Sequence, residues 1–168
     1  ELCEKAELLL LEKSQTKAFK LLQKYHDEWK EIGPVPADKK DEIWERFKNT
    51  TDKVNQIRRE HYAKIEEEQK ANFDAKEAIC VKMEEIVNEP VNSINAYQKK
   101  SNDVNDLFKM WKEIGPVAKK QSEEIWNRFK GSMNTFFEAK KEFFSKLKVQ
   151  QMENYNKKMQ ICGEVENL

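Results

Sequence analysis

The chain has 168 residues, 37% of them charged and 38% hydrophobic, with four glycines and four prolines. This composition favours helices with solvated faces, and 31 basic against 31 acidic residues leave no net charge to attract nucleic acid or an anionic membrane. Three cysteines do not make a disulfide framework, which indicates a reducing compartment, and no apolar run is long enough to predict a transmembrane helix.

The first two helices are predicted over residues 2–11 and from about 16 to 32. Apolar residues recur there at steps of three and four, and Ser14 is suited to cap the second helix. Gly33 supplies the left-handed residue that ends many helices, and Pro34 cannot continue one. The Gly-Pro pair therefore predicts a sharp stop.

A single long helix is predicted next, beginning at an N-cap on Asp38. No glycine or proline occurs between Pro36 and Pro90, and the polar stretch Glu66–Asn72 consists mainly of helix-forming residues. We therefore predict one helix of about 50 residues that continues unbroken through this polar stretch.

The second half of the chain is predicted to form two more helices. Asn92 or Ser93 opens the first of them, which ends before Gly115 and Pro116. The last helix runs from about Ala118 to the end of the chain. Phenylalanines recur every seven residues along it, which indicates a seam like that of a coiled coil.

Two stretches of the sequence occur twice. Trp-Lys-Glu-Ile-Gly-Pro-Val stands at 29–35 and again at 111–117, and Ile-Trp-x-Arg-Phe-Lys stands at 43–48 and again at 125–130. Both pairs are separated by the same offset of 82 residues. Matches of this length at one register identify a tandem repeat.

A third segment occurs three times. An apolar residue followed by Cys-x-x-x-Glu begins at residues 2, 79 and 161. This segment belongs to the first helix of each repeat. We therefore predict a first repeat over 1–78, a second over 79–160 and the start of a third over 161–168.

The repeat predicts the architecture. Three helices per repeat, two of them joined by a tight Gly-Pro turn, favour a three-helix bundle. The last helix of one repeat runs directly into the first helix of the next. The predicted fold is therefore all-α, with tandem three-helix bundles sharing a long continuous helix, as in a spectrin-like rod or an α-solenoid fragment.

The signature Trp-Lys-x-Ile-Gly-Pro-Val-Pro at 29–36, followed by Ile-Trp-x-Arg-Phe at 43–47, resembles the bacterial repeat family catalogued as domain of unknown function 349. The resemblance covers both repeats, although Ala118 stands where the first repeat has Pro36. It implies a cytoplasmic bacterial protein with several such repeats. It implies no catalytic residues for this chain.

The repeated aromatic and aliphatic residues are predicted to pack inside the bundles, because each lies on an apolar stripe. The predicted structural core is Trp29, Ile32, Trp44, Phe47, Trp111, Ile114, Trp126 and Phe129. The alternative for the tryptophans is a set of stacking platforms. Arg46 and Arg128 are interpreted as surface salt bridges with Glu42 and Glu124, one turn earlier, rather than as phosphate-binding groups.

No set of residues predicts catalysis, a cofactor or a metal site. The two histidines, His26 and His61, correspond to phenylalanines in the second repeat. The glycines are isolated rather than grouped in a phosphate-binding loop, and no cysteine–histidine cluster has zinc spacing. We therefore predict a protein that is not an enzyme and has no small-molecule substrate.

Charge is uneven along the chain. Residues 107–158 carry 12 basic and 6 acidic side chains, a net charge of +6, whereas residues 60–89 carry 4 basic and 9 acidic side chains, a net charge of −5. The candidate interaction residues are Phe137, Lys119, Lys120, Arg128, Lys140 and Lys141. The leading hypothesis is a scaffold or spacer that binds protein partners or neighbouring copies. The alternative is an RNA- or DNA-binding array that uses the basic face of the second repeat, including Lys130.

Overall fold

The computed structural model describes residues 1–166 and contains helices and short connections, with no strand in that range. The helices are α1 (Leu2–Leu8), α2 (Gln15–Ile32), α3 (Ala37–Asn88), α4 (Ile94–Glu113) and α5 (Lys119–Glu166), and a single 3₁₀ turn, Leu9–Leu11, follows α1. The fold is therefore all-α, as predicted.

The helix starts follow the capping signals in the sequence. Ser14 Oγ accepts a hydrogen bond from the Lys17 amide at 3.3 Å, and Ser93 Oγ accepts one from the Ala96 amide at 3.2 Å. Each serine satisfies an amide that has no partner inside its helix. The predicted cap at Asp38 is wrong, because α3 begins at Ala37 and places Asp38 inside its first turn. Its negative charge still favours the amino end of the helix.

The prediction of an unbroken helix through Glu66–Asn72 is confirmed, because α3 runs from Ala37 to Asn88 without interruption. The chain divides by contacts into two compact units, Glu1–Glu68 and Gln69–Leu168, and α3 contributes to both. That division falls inside α3, ten residues before the predicted repeat boundary at 78/79. Residues 167 and 168, the last of the predicted third repeat, lie outside the described residues.

The two Gly-Pro turns stop their helices in different ways. Gly33 follows α2 directly and adopts φ 78° and ψ −164°, a conformation open to glycine but strained for other residues. α4 ends earlier, at Glu113, and Ile114 is already extended. Gly33 is the only glycine with positive φ among the described residues, so α4 ends before Gly115 without a left-handed residue.

The core of the first unit joins α1, α2 and the first part of α3. Cys3, Ala6 and Phe47 are buried together, and the Trp29 ring stacks on the Phe47 ring with centroids 4.4 Å apart. A second small cluster, formed by Leu9, Leu22 and Val54, continues the same packing. Burial of apolar side chains from three helical segments therefore holds α2 against α3.

The core of the second unit is larger. The Trp111 ring stacks on the Phe129 ring with centroids 4.5 Å apart. α4 therefore packs on α5 through a tryptophan–phenylalanine pair equivalent to the pair that joins α2 to α3. Met83 on the last part of α3 and Val104 on α4 are fully buried beside it. Phe136, one heptad beyond Phe129, extends this core along α5.

Two residues predicted to lie in the core lie at its edge. Ile32 is 65% exposed and Trp44 is 50% exposed, although their counterparts Ile114 and Trp126 are partly buried against the core of the second unit. The apolar stripe in the sequence locates the face of each helix, but it does not show whether anything covers the end of that face.

Replacing Phe47 with alanine should lower the free energy of unfolding of the first unit by about 3–5 kcal/mol, because it empties a fully buried aromatic site. Trp44→Ala should cost less than half as much, because half of that side chain already faces solvent. Urea unfolding followed by circular dichroism measures both. An equal loss for the two variants would mean that Trp44 is buried in solution.

Candidate protein-binding site

An open cleft lies beside the Gly-Pro turn of the first unit. Its apolar wall comes from Trp29 and Ile32 at the end of α2, from Val35 in the connection and from Ile43 and Trp44 on α3. The volume is about 660 Å³. Glu1, Leu2 and Cys3 at the start of the chain also line the cleft, and Ile32 and Trp44 remain 65% and 50% exposed. Large side chains on the two helix ends therefore remain uncovered.

The rim of the cleft is charged. Arg46 Nε donates to Glu7 Oε1 at 2.7 Å and Arg46 Nη2 donates to Glu7 Oε2 at 2.8 Å, a two-bond fork between α3 and α1. These hydrogen bonds hold the pKa of the Glu7 carboxyl below its usual range, against the opposing effect of desolvation. The same contact raises the pKa of Arg46. A planar guanidinium matched to a carboxylate fixes the position of α1.

The second unit repeats this fork. Arg128 donates to both Glu84 oxygens, at 2.7 and 3.0 Å, and lies 3.5 Å from Glu77. The predicted pairs with the glutamate one turn earlier are therefore wrong. Instead, Glu42 lies 3.8 Å from Lys39. The true partners are the glutamates of the Cys-x-x-x-Glu segment, whose repetition in the sequence was the signal that could have identified them.

The cysteines of this segment also occupy equivalent positions. Cys3 Sγ lies 4.0 Å from the Ile43 carbonyl oxygen, and Cys80 Sγ lies 3.8 Å from the Ile125 carbonyl oxygen. Both thiols are buried as small apolar groups, and burial raises the pKa of Cys80. Cys162, in the third copy of the segment, is exposed.

In the second unit the equivalent of the cleft is covered by α3. Asn72 Nδ2 donates to the Pro116 carbonyl oxygen at 2.8 Å, Lys76 Nζ lies 5.1 Å from the centre of the Trp111 ring, and Phe73 packs against the core. Val117 is consequently 8% exposed, whereas its counterpart Val35 is 37% exposed. These three side chains of α3 are called the covering residues below.

The covering residues explain Gly115. A Cβ atom at this position would lie 2.8 Å from Asn72 Nδ2, so glycine allows α3 to approach the turn closely. At Gly33 nothing lies within 4 Å of such an atom, and the positive φ is what requires glycine. Glycine is therefore needed for a close helix contact at Gly115 and for a backbone conformation at Gly33.

The predicted basic face of the second unit is partly neutralised. Arg128 is paired with carboxylates, and Lys140 Nζ donates to Ser101 Oγ on α4 at 2.8 Å. Lys119, Lys120 and Lys141 are exposed. Lys130 is also exposed, and Lys141 shares its surface with Glu138 and Glu142. This surface therefore mixes both signs of charge.

Phe137, the remaining candidate interaction residue, is partly exposed on α5, with its ring edge against Phe136 at 5.3 Å between centroids. Further along α5, residues 149–166 form what is called the α5 tail below. Its exposed apolar side chains are Val149, Met152, Tyr155, Met159, Ile161 and Val165. These side chains expose apolar surface along the α5 tail.

The sequence model of a family described as Domain of Unknown Function (DUF349) matches residues 1–38, 42–120 and 124–168. The two short gaps in this match are 82 residues apart, at the same point of each repeat. No curated protein and no solved structure matches the chain significantly. Within residues 1–166, no helix is apolar enough over 18 residues to cross a membrane, and no group of histidine, cysteine and carboxylate side chains is arranged to hold a metal ion.

The contact between α1 and α3 should weaken in acid. Since the pKa of Glu7 is lowered in the folded chain, the stabilisation by its fork with Arg46 is present above the ordinary glutamate pKa and is lost as pH falls through the lowered value. The protection of the α1 amides against hydrogen exchange, taken relative to the intrinsic rate at each pH, should therefore fall below about pH 4. Glu7→Gln should show low protection already at neutral pH and lose most of this acid dependence. A wild-type exchange profile in Glu7→Gln would contradict this role of the fork.

A double-mutant cycle should isolate the close approach at Gly115. Gly115→Ala should destabilise the second unit by about 1 kcal/mol or more, since the added methyl group breaks the hydrogen bond between Asn72 and Pro116. In the Asn72→Ala background the same change should be nearly neutral. Gly33→Ala is the matched control: its cost comes from φ and should not depend on Asn72. Equal costs of Gly115→Ala in both backgrounds would exclude the contact.

Proposed function

The chain belongs to the family described as Domain of Unknown Function (DUF349), and from its surfaces we propose that it is a non-enzymatic helical scaffold that binds protein partners. In this proposal the repeats at 1–78 and 79–160 are three-helix bundles in tandem that share α3, and 161–168 begins a third. The scaffold is a rod in the bacterial cytoplasm, in keeping with the resemblance of its motifs.

The observation that carries the proposal is the apolar wall beside the Gly-Pro turn of the first unit. In the second unit three side chains of a helix close the turn, and in the first unit the same apolar wall is open. An uncovered wall of two tryptophans and three aliphatic side chains, bordered by an ion pair, has the composition of a helix-binding groove. The partner chemistry that fits it is an amphipathic helix with an aromatic side chain, an amide and a lysine at its contact face.

The charges around the cleft favour a binding role over catalysis. Arg46 at the rim is held by Glu7 in a fork and supports α1. Reaction chemistry needs a nucleophile or a general base that is poised by its neighbours. The apolar composition of the wall instead supports recognition of another apolar surface.

The nucleic-acid alternative depends on a basic face of the second unit. Two of its predicted members, Arg128 and Lys140, make contacts within the unit, and a third, Lys141, shares its surface with Glu138 and Glu142. A phosphate backbone attracts a continuous basic surface, and its affinity falls steeply with salt. The mixed charges therefore support the protein-binding proposal over this alternative.

Affinity purification from bacterial cells tests the proposal, using the full chain and a Trp44→Asp variant after nuclease treatment. Trp44 is half exposed, so the substitution should leave the fold intact, as circular dichroism can check. Proteins retained by the wild type should be lost from Trp44→Asp and kept by Lys48→Asp, an exposed site outside the cleft. The same proteins retained by all three chains would contradict binding at the cleft.

Fluorescence anisotropy with mixed-sequence RNA and DNA at about 150 mM salt tests the nucleic-acid alternative. We expect dissociation constants above about 1 µM, within the range of non-specific binding. Tighter binding that is lost when Lys119, Lys120 and Lys141 become glutamate would favour the nucleic-acid array instead.

A further inference from the structure

An open groove lies between α3 and α4 in the second unit. Ile86 on α3 and Leu107 and Met110 on α4 form its apolar floor, and its volume is about 500 Å³. Leu107 belongs to the core of the unit, whereas Met110 is 46% exposed. The groove therefore presents apolar surface on a rigid base, because the core beneath it holds the two helices together.

The rim of this groove is acidic. Four carboxylates and one lysine line it: Glu85, Glu89, Asp103, Asp106 and Lys82. Lys100 Nζ lies 2.8 Å from Glu89 Oε2, and Lys109 Nζ lies 3.3 Å from Asp106 Oδ1. The two remaining carboxylates, those of Glu85 and Asp103, are exposed. The groove therefore keeps an excess of negative charge beside its apolar floor.

The opposite charge occurs together with apolar rings on one face of α5. Three lysines and two phenylalanines follow one another there at steps of seven, four, three and four residues, which place side chains on a single helix face. They are called the α5 face below: Lys130, Phe137, Lys141, Phe144 and Lys148. All five side chains are exposed, and the two rings are 40% and 37% exposed.

The glutamates in this part of α5 point away from the α5 face. At about 100° per residue, Glu138 is turned about 100° from Phe137, and Glu142 is turned about 160° from Phe144. The surface that Lys141 shares with these glutamates therefore lies on the other side of this lysine. The α5 face itself combines apolar rings with positive charge alone.

The exposed aromatic position is a property of the repeat. The counterpart of Phe144 at the offset of 82 residues is Tyr62, which stands in the middle of α3 and is 45% exposed. The counterpart of Lys141 is Arg59, which is also exposed. An aromatic ring beside a basic side chain thus stays uncovered on both long helices.

We propose that the α5 face of one copy docks in the groove between α3 and α4 of a second copy. Both walls of the groove span seven residues, 82–89 and 103–110, and Phe137 and Phe144 are also seven residues apart. Seven residues of helix correspond to about 10 Å, so both rings can lie along the floor at once. The inference goes beyond the cleft of the first unit and does not depend on it.

The docked arrangement satisfies both kinds of surface. The two rings lose their exposed area against Met110 and Ile86, which supplies a hydrophobic gain. The lysines that flank the rings meet the carboxylates at the rim of the groove, which orients the two copies and speeds their encounter. Each copy carries both surfaces, so association needs no second kind of protein.

Sedimentation velocity of the full chain in reductant, from about 10 µM to about 1 mM, tests the inference. The weight-average sedimentation coefficient should rise with concentration. Phe137→Asn should weaken the association about tenfold or more, because it removes a ring from the contact. Asparagine already stands at the counterpart of this position, Asn55, so the fold should tolerate it, as circular dichroism can check.

Val149→Asn is the matched control for this substitution. Val149 is also an exposed apolar residue of α5, at 58%, but it is turned about 140° from Phe144 and lies outside the α5 face. Its replacement should leave association unchanged. Equal effects of the two substitutions would overturn the proposal.

A charge exchange identifies the groove. Lys141→Glu alone and Glu85→Lys alone should each associate about tenfold more weakly than the wild type, because each brings like charges into the contact. An equimolar mixture should restore association, since each copy then meets opposite charges on the other variant. Lys120→Glu makes the same change of charge at an exposed site of α5 outside the α5 face and should have no effect. A mixture no stronger than its components would exclude this groove.

The cleft variant separates this inference from the scaffold proposal. Trp44→Asp should lose captured proteins and keep self-association, because the α5 face and its groove lie in the second unit. Self-association that is lost on Trp44→Asp would overturn the proposed docking. A chain that stays monomeric to about 1 mM would also overturn it, while the capture experiment would still decide the scaffold proposal.

Discussion

Each unit depends on one aromatic contact, the stacking of the tryptophan at the end of one helix on a phenylalanine of the next. The centroid distances, 4.4 and 4.5 Å, and the interplanar angles, 15° and 12°, are nearly the same in both units. In each unit this contact fixes where along their length the two helices pack against each other. The tryptophan ring also borders the space beside the Gly-Pro turn, which is the open cleft in the first unit and is covered by α3 in the second. The open cleft and its covered counterpart both follow from that single arrangement.

The same aromatic contact tolerates two different turns. One uses a glycine with positive φ, and the other keeps ordinary backbone and needs glycine only because a helix passes close to it. Identical local sequence thus gives different local structure once a neighbouring helix is present. Tertiary contact rather than intrinsic preference decides the conformation of the second turn.

Helix existence, the caps at Ser14 and Ser93 and the continuity of α3 could all be predicted, because they depend on local signals along the sequence. The partners of Arg46 and Arg128 could not, because a guanidinium reaches carboxylates on other helices that the spacing of one helix does not show. The exposure of Trp44 could not be predicted for a related reason, because the apolar residues on one helix do not show where the neighbouring helix ends. The covering residues became recognisable only when Asn72 was seen against Pro116.

The unbroken helix α3 has a consequence for how the chain unfolds. Extending an existing helix is much easier than starting one, so a folded unit supplies a ready template for the part of α3 that belongs to the other unit. The mostly exposed residues between the two cores gain little from packing and remain helical mainly because both ends are anchored. Unfolding of either core should therefore fray α3 towards the remaining core. The unfolding of one unit is thus partly coupled to that of the other, as between neighbouring repeats of a repeat protein.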